Sequence, residues 1–513
     1  MEGTKKRNGF GSGIGFILAA AGSAVGLGNL WSFPYKTSAN GGAAFVFVYI
    51  LCVILFGSIV MTAEIYIGRR AQANPITAYK SINKKMGWLG LFAIIIPTFI
   101  LCYYSVLGGY TVKFTVNSFK DNSTVLSTYA GDFVQVSIFT AIFLILSLVV
   151  VMGGIKNGIE KASKVLMPAL FILLIAIVIY CLCLGEGVTN GLEFYLNPKF
   201  DELGFSGVLA AMGQAFYSLS LGMGIMVSYG SYTSRESNLG KSVLMICIFD
   251  TCVAFLSGLA IFPSIFHYEA VSGTPVSDMQ GMMLMFKSLP LVFAKLGFAG
   301  KIISFLFFGM VVIAALTSVV SLLEVATQFI IQKFKMPRKR ATLMIFSFAF
   351  IVSIFIGVSL GYALTGQNKM LICGENWLDF FDKVTNTVLM PLCALGSCFV
   401  LGWLLDKKPT FSPFKTLKVL KDDGLNLGKF EKIFAVMVKY ATPILILIIE
   451  VFGVKDIIFP NGVFSVNGLG IVLTAYAILL VCVAIYFAFL RNKETGTNED
   501  ELLMQSDSKK ANE

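Results

Sequence analysis

With 56% hydrophobic and 13% charged residues and a mean hydropathy of +0.80, this 513-residue chain has more apolar surface than a water-soluble fold can bury. The formal charge of +11 does not point to nucleic acid, because the basic residues fall in short stretches between long apolar runs, where they set membrane topology. The runs lack the alternation of barrel strands, so an all-α integral membrane protein is expected.

Taken in order, Lys5, Lys6 and Arg7 precede a broken apolar run, with too little charge for a cleaved signal peptide to be expected, and the N-terminus is expected in the cytoplasm. About twelve transmembrane helices are expected, near residues 12–36, 42–68, 88–115, 133–153, 164–185, 206–234, 241–266, 299–332, 340–364, 376–405, 432–454 and 467–490. Three basic clusters, Arg69–Lys85, Lys333–Arg340 and Lys407–Lys421, all come out on the cytoplasmic side, and the polar tail from Arg491 to Glu513 is expected to be disordered. Nine of the ten cysteines fall in expected spans without metal-ligand spacing and read as apolar packers. The single histidine, His267, lies beyond Pro263 at the end of a span and reads as a loop residue.

The first span is a poor helix. Gly22, Gly26 and Gly28 each cost about 1 kcal/mol against Ala in a helix interior, and Pro34 removes a donor. Irregular backbone at membrane depth persists only where protein or a polar cavity satisfies it, and Asn29 adds a hard oxygen ligand beside the break. Glycines can equally serve as close-packing surface. A second interruption, Ser218-Leu-Ser-Leu-Gly222-Met-Gly224, follows five spans later. That odd offset inverts spans six to ten relative to spans one to five, so that two broken helices meet near the midplane, with spans eleven and twelve appended. A packing notch is the alternative for Gly222 and Gly224.

Together with Ala24-Val25-Gly26-Leu27-Gly28-Asn29, Phe33-Pro34-Tyr35, Tyr103-Tyr104-Ser105, Gly158-Ile159-Glu160-Lys161, Gln214 to Ser220 and Ala314 to Ser318, these features resemble the neurotransmitter:sodium symporters. The resemblance implies the LeuT fold, with a 5+5 inverted repeat and discontinuous helices 1 and 6. Residues 1–11 would be a cytoplasmic N-terminal segment, 12–185 the first five-helix repeat and 206–405 the inverted second. Residues 406–490 would hold a cytoplasmic loop and helices 11–12, and 491–513 a cytoplasmic tail.

Carried over residue by residue, the resemblance implies two Na+ sites. The first would use the Ala24 carbonyl, Asn29, Ser218 and Asp250 together with the substrate carboxylate. The second would use carbonyls of Gly22, Val25 and Ala314 with the hydroxyls of Thr317 and Ser318, all hard oxygen donors. For Thr317 and Ser318 the alternative is back-bonding to the preceding helical turn, and for Asp250 it is exposure to cytoplasmic water. The substrate carboxylate would face the N–H groups of Leu27 and Gly28, where positive helix ends favour an anion, with Tyr104 as a further partner. The ammonium would meet carbonyls near Tyr217, Ser218 and Ser220, while Ile100, Tyr217, Ser220, Met223, Ser318 and Leu322 would receive a neutral hydrophobic or aromatic side chain. Glu64 would brace unwound backbone, and Gly158 with Pro168 would let cytoplasmic water reach the second ion.

Both gates depart from the family pattern. Ser32 replaces an arginine that would face Asp382, and Lys36, one turn further on, is either its substitute or a snorkelling lysine. Arg7 keeps the place of the other gate arginine, but Gln332 replaces its aspartate partner and Phe10 a tryptophan. No GxxxxGK loop, metal cluster or Ser/His/Asp set is present, so an enzyme is not expected. The expected function is sodium-coupled symport of an amino acid across the cell membrane, with an amino-acid-sensing receptor as the alternative. The partners would be a small-molecule amino acid and membrane lipid, not nucleic acid. No chloride requirement is expected, because the Asp250 carboxylate would supply the counter-charge.

Overall fold

The computed structural model describes residues 9–510 apart from 121, 123–124, 236, 274, 276–280, 407–410, 423–424 and 426. Ten of its helices are long and apolar enough to cross a membrane. They are Ala43–Ala71, Lys84–Asn117, Phe133–Met152, Ile155–Leu182, Leu239–Ser272, Gly297–Phe334, Arg338–Leu364, Trp377–Leu404, Glu431–Ile458 and Val466–Ala488. A bent pair, Gly13–Ala24 and Gly28–Ala39, turning by 51°, makes an eleventh crossing. The expected sixth span is Phe205–Ser218 and Ile225–Gly230, two pieces of 14 and 6 residues that are each too short to span alone. Among the described residues the only strands are Leu371–Ile372 and Glu375–Asn376, an antiparallel pair with Leu371 opposite Asn376.

Burial sorts the spans into layers. The most apolar stretch of the third span is 78% buried and that of the eighth 67%, against 33% for the fourth, fifth and ninth, so the third and eighth form the centre. Ile138, Ile142, Ile145 and Val149 line one exposed face of the fourth span, an apolar stripe that water would not tolerate and lipid would.

The two interruptions have local causes. Val25 turns extended, with ψ 106°, and the helix resumes at Gly28. Gly26 is needed there because a Cβ would stand 2.7 Å from Ser318 Oγ and 2.8 Å from Tyr104 Oη. In the sixth span Ser220, Gly222 and Gly224 all take positive φ, and a Cβ at Gly222 or Gly224 would also strike the Met390 or Ala93 carbonyl. The break and the packing notch therefore coincide in the same glycines.

Two expectations need correction. The fifth span begins at Ile155 rather than 164, because Gly154, at φ 79°, starts a wide helical turn that runs directly into Lys161–Leu182. The seventh continues through Pro263 to Ser272, so His267 is a helical residue whose Nδ1 lies 2.8 Å from the Glu186 carbonyl oxygen. A proline deletes only one ladder bond, and the helix reforms beyond it. The membrane-spanning part of the helix from Val466 ends at Ala488, and the tail expected to be disordered lies beyond it.

Candidate functional site

Asn29 is where the two breaks are tied together. Its Oδ1 accepts from Gly26 N at 3.1 Å, closing the first break. Its Nδ2 reaches Ser218 Oγ at 3.0 Å, Asp250 Oδ1 at 2.8 Å and the Asp250 carbonyl at 3.1 Å, joining the first, sixth and seventh spans. Ser218 Oγ lies 2.9 and 2.8 Å from the two Asp250 carboxylate oxygens, and Tyr49 donates to Asp250 Oδ2 at 3.2 Å. Asp250 is fully buried, so its alternative placement in cytoplasmic water is excluded. A bare carboxylate at this depth would cost several kcal/mol, and charge-assisted bonds worth about 1.5–3 kcal/mol each offset that. Three of the four residues expected at the first ion are therefore in mutual contact.

Beside this cluster a cavity of about 30 Å³ is lined by Ala24, Gly28, Ile100, Tyr104, Tyr217, Ser220, Met223, Ser318 and Leu322, all expected at the substrate site. Leu27 and Ser218 border it through their neighbours. Tyr104 Oη accepts the Leu27 N–H at 3.0 Å, so the phenol occupies the donor expected to face a carboxylate. The cavity has room for about one water, too little for an amino acid as it stands. Above it opens a vestibule of about 770 Å³, and Tyr217 lines both spaces as the partition between them.

The residues expected at the second ion also converge. A Cβ on Gly22 would meet Thr317 Cβ at 3.2 Å, and Ser318 Oγ donates toward the Ser23 and Val25 carbonyls at 3.2 and 3.3 Å. Thr317 Oγ1 bonds the Ala314 carbonyl at 2.9 Å. For Thr317 this is the back-bonded geometry, whereas Ser318 reaches across to the broken span.

Glu64 accepts from Gly222 N at 3.0 Å and from Ser397 Oγ at 3.4 Å, bracing the unwound part of the sixth span. Gly158 is packed so tightly that a Cβ would strike the Val150 carbonyl, and Pro168 lies inside the fifth span, within Lys161–Leu182.

The gate residues are less unified. Ser32 Oγ bonds Gln214 Oε1 at 2.9 Å, and Gln214 Nε2 in turn bonds the Gly28 carbonyl at 2.9 Å, so Ser32 supports the break while bordering the vestibule. Lys36 and Asp382 both line the vestibule, but Asp382 Oδ1 takes Asn386 Nδ2 at 2.5 Å and no Lys36–Asp382 ion pair exists among the described residues. Gln332 Oε1 accepts from Asn74 N and Nδ2 at 2.9 and 2.7 Å. Arg7 lies outside the described residues, as do Lys407 and Lys408.

The sequence reading missed a buried carboxylate on the N-terminal side. Glu324 has a fully buried side chain and makes a two-pronged pair with Arg338 at 2.6 and 2.9 Å, while Tyr232 donates to it at 2.8 Å. The Tyr232 carbonyl accepts the Phe10 N–H at 3.1 Å, so the N-terminal segment closes onto the same group. A lone Glu seven residues beyond Thr317 in an apolar run was the available signal. Arg338 had been absorbed into a topology-setting cluster. Tyr49 and Ser257, which donates to the Asn29 carbonyl at 2.6 Å, carried no motif that singled them out, and Gln214 stood in a motif without a role assigned to it.

A family model described as the Sodium:neurotransmitter symporter family matches residues 7–127 and 124–492. The chain is 31% identical over 469 residues to a sodium-dependent transporter of Haemophilus influenzae, covering 87% of this chain and 98% of that one. It is 33% identical over 458 residues to the sodium-dependent transporter YhdH of Bacillus subtilis, covering 85% and 96%. The crystal structure of MhsT in complex with L-phenylalanine superposes with a TM-score of 0.76 at 33% identity, over 87% of this chain and 100% of that one.

Proposed function

Because this chain belongs to the sodium:neurotransmitter symporter family, we propose that it is a sodium-coupled symporter importing a neutral, hydrophobic or aromatic amino acid by alternating access. The observation that carries the reading is the contact of Asn29, Ser218 and Asp250 beside a pocket between two broken helices. In this reading Asn29 Oδ1, Ser218 Oγ, Asp250 and the Ala24 carbonyl turn from one another to the first sodium, and the substrate carboxylate completes the shell. Gly22, Val25, Ala314, Thr317 and Ser318 hold the second. The half-helix starting near Gly28 directs its N–H groups at the carboxylate once Tyr104 shifts from Leu27 N to the substrate. Ile100, Met223 and Leu322 offer an apolar wall, and flexible Met223 adapts it to side-chain size. The protein sits in the cell membrane with both termini cytoplasmic, and the fixed charge of Asp250 replaces chloride.

Supporting the substrate class is the phenylalanine named in the MhsT complex, a relative at 33% identity. The test is binding and uptake of labelled phenylalanine, leucine and tryptophan by purified protein in sodium against choline. Reciprocal coupling of about 1–3 kcal/mol, a 5- to 150-fold gain in affinity, is expected, and Asn29→Ala and Asp250→Asn should remove most of it. Equal affinity with and without sodium would reject the mechanism. Counterflow of labelled substrate in proteoliposomes separates a transporter from a receptor, which binds without exchanging cargo.

A further inference from the structure

One buried carboxylate on the N-terminal side has no part in either ion site or the substrate pocket. Glu160, 3% exposed, sits at the junction of the wide turn Ile155–Glu160 and the regular helix of the fifth span. Its Oε2 accepts the Gly11 N–H at 2.6 Å, and its Oε1 accepts from Ser12 Oγ at 2.8 Å. Lys164, one turn on, is paired to Oε1 at 2.6 Å. Ser12 is also the N-cap of Gly13–Ala24, receiving Gly15 N at 3.1 Å, so one carboxylate holds the first turn of the first span through both backbone and cap. Gly15 is shaped to the contact, since a Cβ there would collide with the Glu160 carboxylate. Lys156, a turn before Glu160, brings its Cε within 2.9 Å of where a Cβ on Gly11 would stand.

We propose that Glu160 is a positioning residue, a catch that ties the first half of span one to the glycine turn of span five so that the two elements release together when the N-terminal side opens. This rests on the alternating-access reading. The physical argument is one of shared donors. If Gly13–Ala24 swings away, Glu160 loses two short charge-assisted bonds at once and, among the described residues, keeps Lys164 on its own helix. The wide turn then loses both of these bonds to the start of the first span. Gly158, pressed against Val150 and free of a side chain, is the place where that turn can loosen.

The test uses the full chain in nanodiscs and follows hydrogen–deuterium exchange of residues 11–24 and 153–160 in parallel, with sodium present. Glu160→Gln keeps shape but not charge, and should raise exchange in both segments together by about tenfold. Gly15→Ala attacks the same contact from the opposite element and should loosen residues 153–160 as well as its own helix. Ser12→Ala should act in the same direction but more weakly. A rise confined to residues 153–160 in Glu160→Gln would show a carboxylate that serves its own helix only, and unchanged exchange in both segments would equally overturn the catch. Should Glu160→Gln fail to fold, Gly15→Ala and Ser12→Ala still decide the matter. Sodium-dependent substrate binding by the unmodified protein is measured in the same preparation, so loss of the transport reading is distinguishable from loss of the catch.

Discussion

The vestibule side and the N-terminal side of this molecule handle charge in opposite ways. On the vestibule side Lys36, Asp379 and Asp382 border a space of about 770 Å³, and the one ion pair among the lining residues, Lys383 with Glu375, is partly exposed. On the N-terminal side two carboxylates with almost no exposure, Glu160 and Glu324, are saturated by donors from the first, fifth, sixth and ninth spans. Exposed pairs are screened and worth little, whereas a buried charge stripped of its partner is costly. The N-terminal side is thus tied together by buried, paired carboxylates, while the ion pair on the vestibule side is of the screened kind that parts cheaply.

The largest effect should come from breaking the sealed side. Arg338→Met leaves Glu324 buried without its cation, which should cost about 3–5 kcal/mol and lower uptake in proteoliposomes more than tenfold. Replacing both, as Glu324→Leu with Arg338→Met, should recover much of the thermal stability without recovering uptake. If the single substitution leaves uptake intact, the pair is not part of closure.

A smaller effect is expected across the vestibule. Lys36→Met and Asp382→Asn, separately and combined, should show coupling of about 0.5–1 kcal/mol in uptake if the two meet when that side closes. Strict additivity would mean that Lys36 does not stand in for the arginine absent at Ser32.

The smallest effect expected is none. Exchanging chloride for gluconate should leave sodium-driven uptake unchanged, because Asp250 already places a fixed negative charge beside Asn29 and Ser218. This would set the chain apart from relatives such as the mouse sodium- and chloride-dependent neutral and basic amino acid transporter B(0+), 25% identical over 442 residues. Uptake that falls with chloride would remove Asp250 from that role.

Much of the site was legible because it is built from residues that are out of place in a membrane helix. Gly26, Gly28, Asn29, Gly222 and Asp250 each break a rule of apolar helices, and a broken rule at membrane depth calls for a compensating partner. The partners were harder to read. Tyr49 looks like an ordinary span residue until the fold sets it against Asp250, and Gln214, though part of a motif, shows its role only when it meets the Gly28 carbonyl.

By itself, the amino-acid order determined the helical class and the positions of the two breaks, because hydropathy and backbone strain are local properties carried by neighbouring residues; the oxygen-rich set around the breaks was named through resemblance to a family. Which side is sealed, and by what, was decided only by the tertiary structure. Glu160 meets Gly11 and Ser12 across nearly 150 positions, and Glu324 gathers Tyr232 from another span and Arg338 from the next. Such pairings depend on how helices pack, and one carboxylate in an apolar run looks much like another until its donors are brought to it.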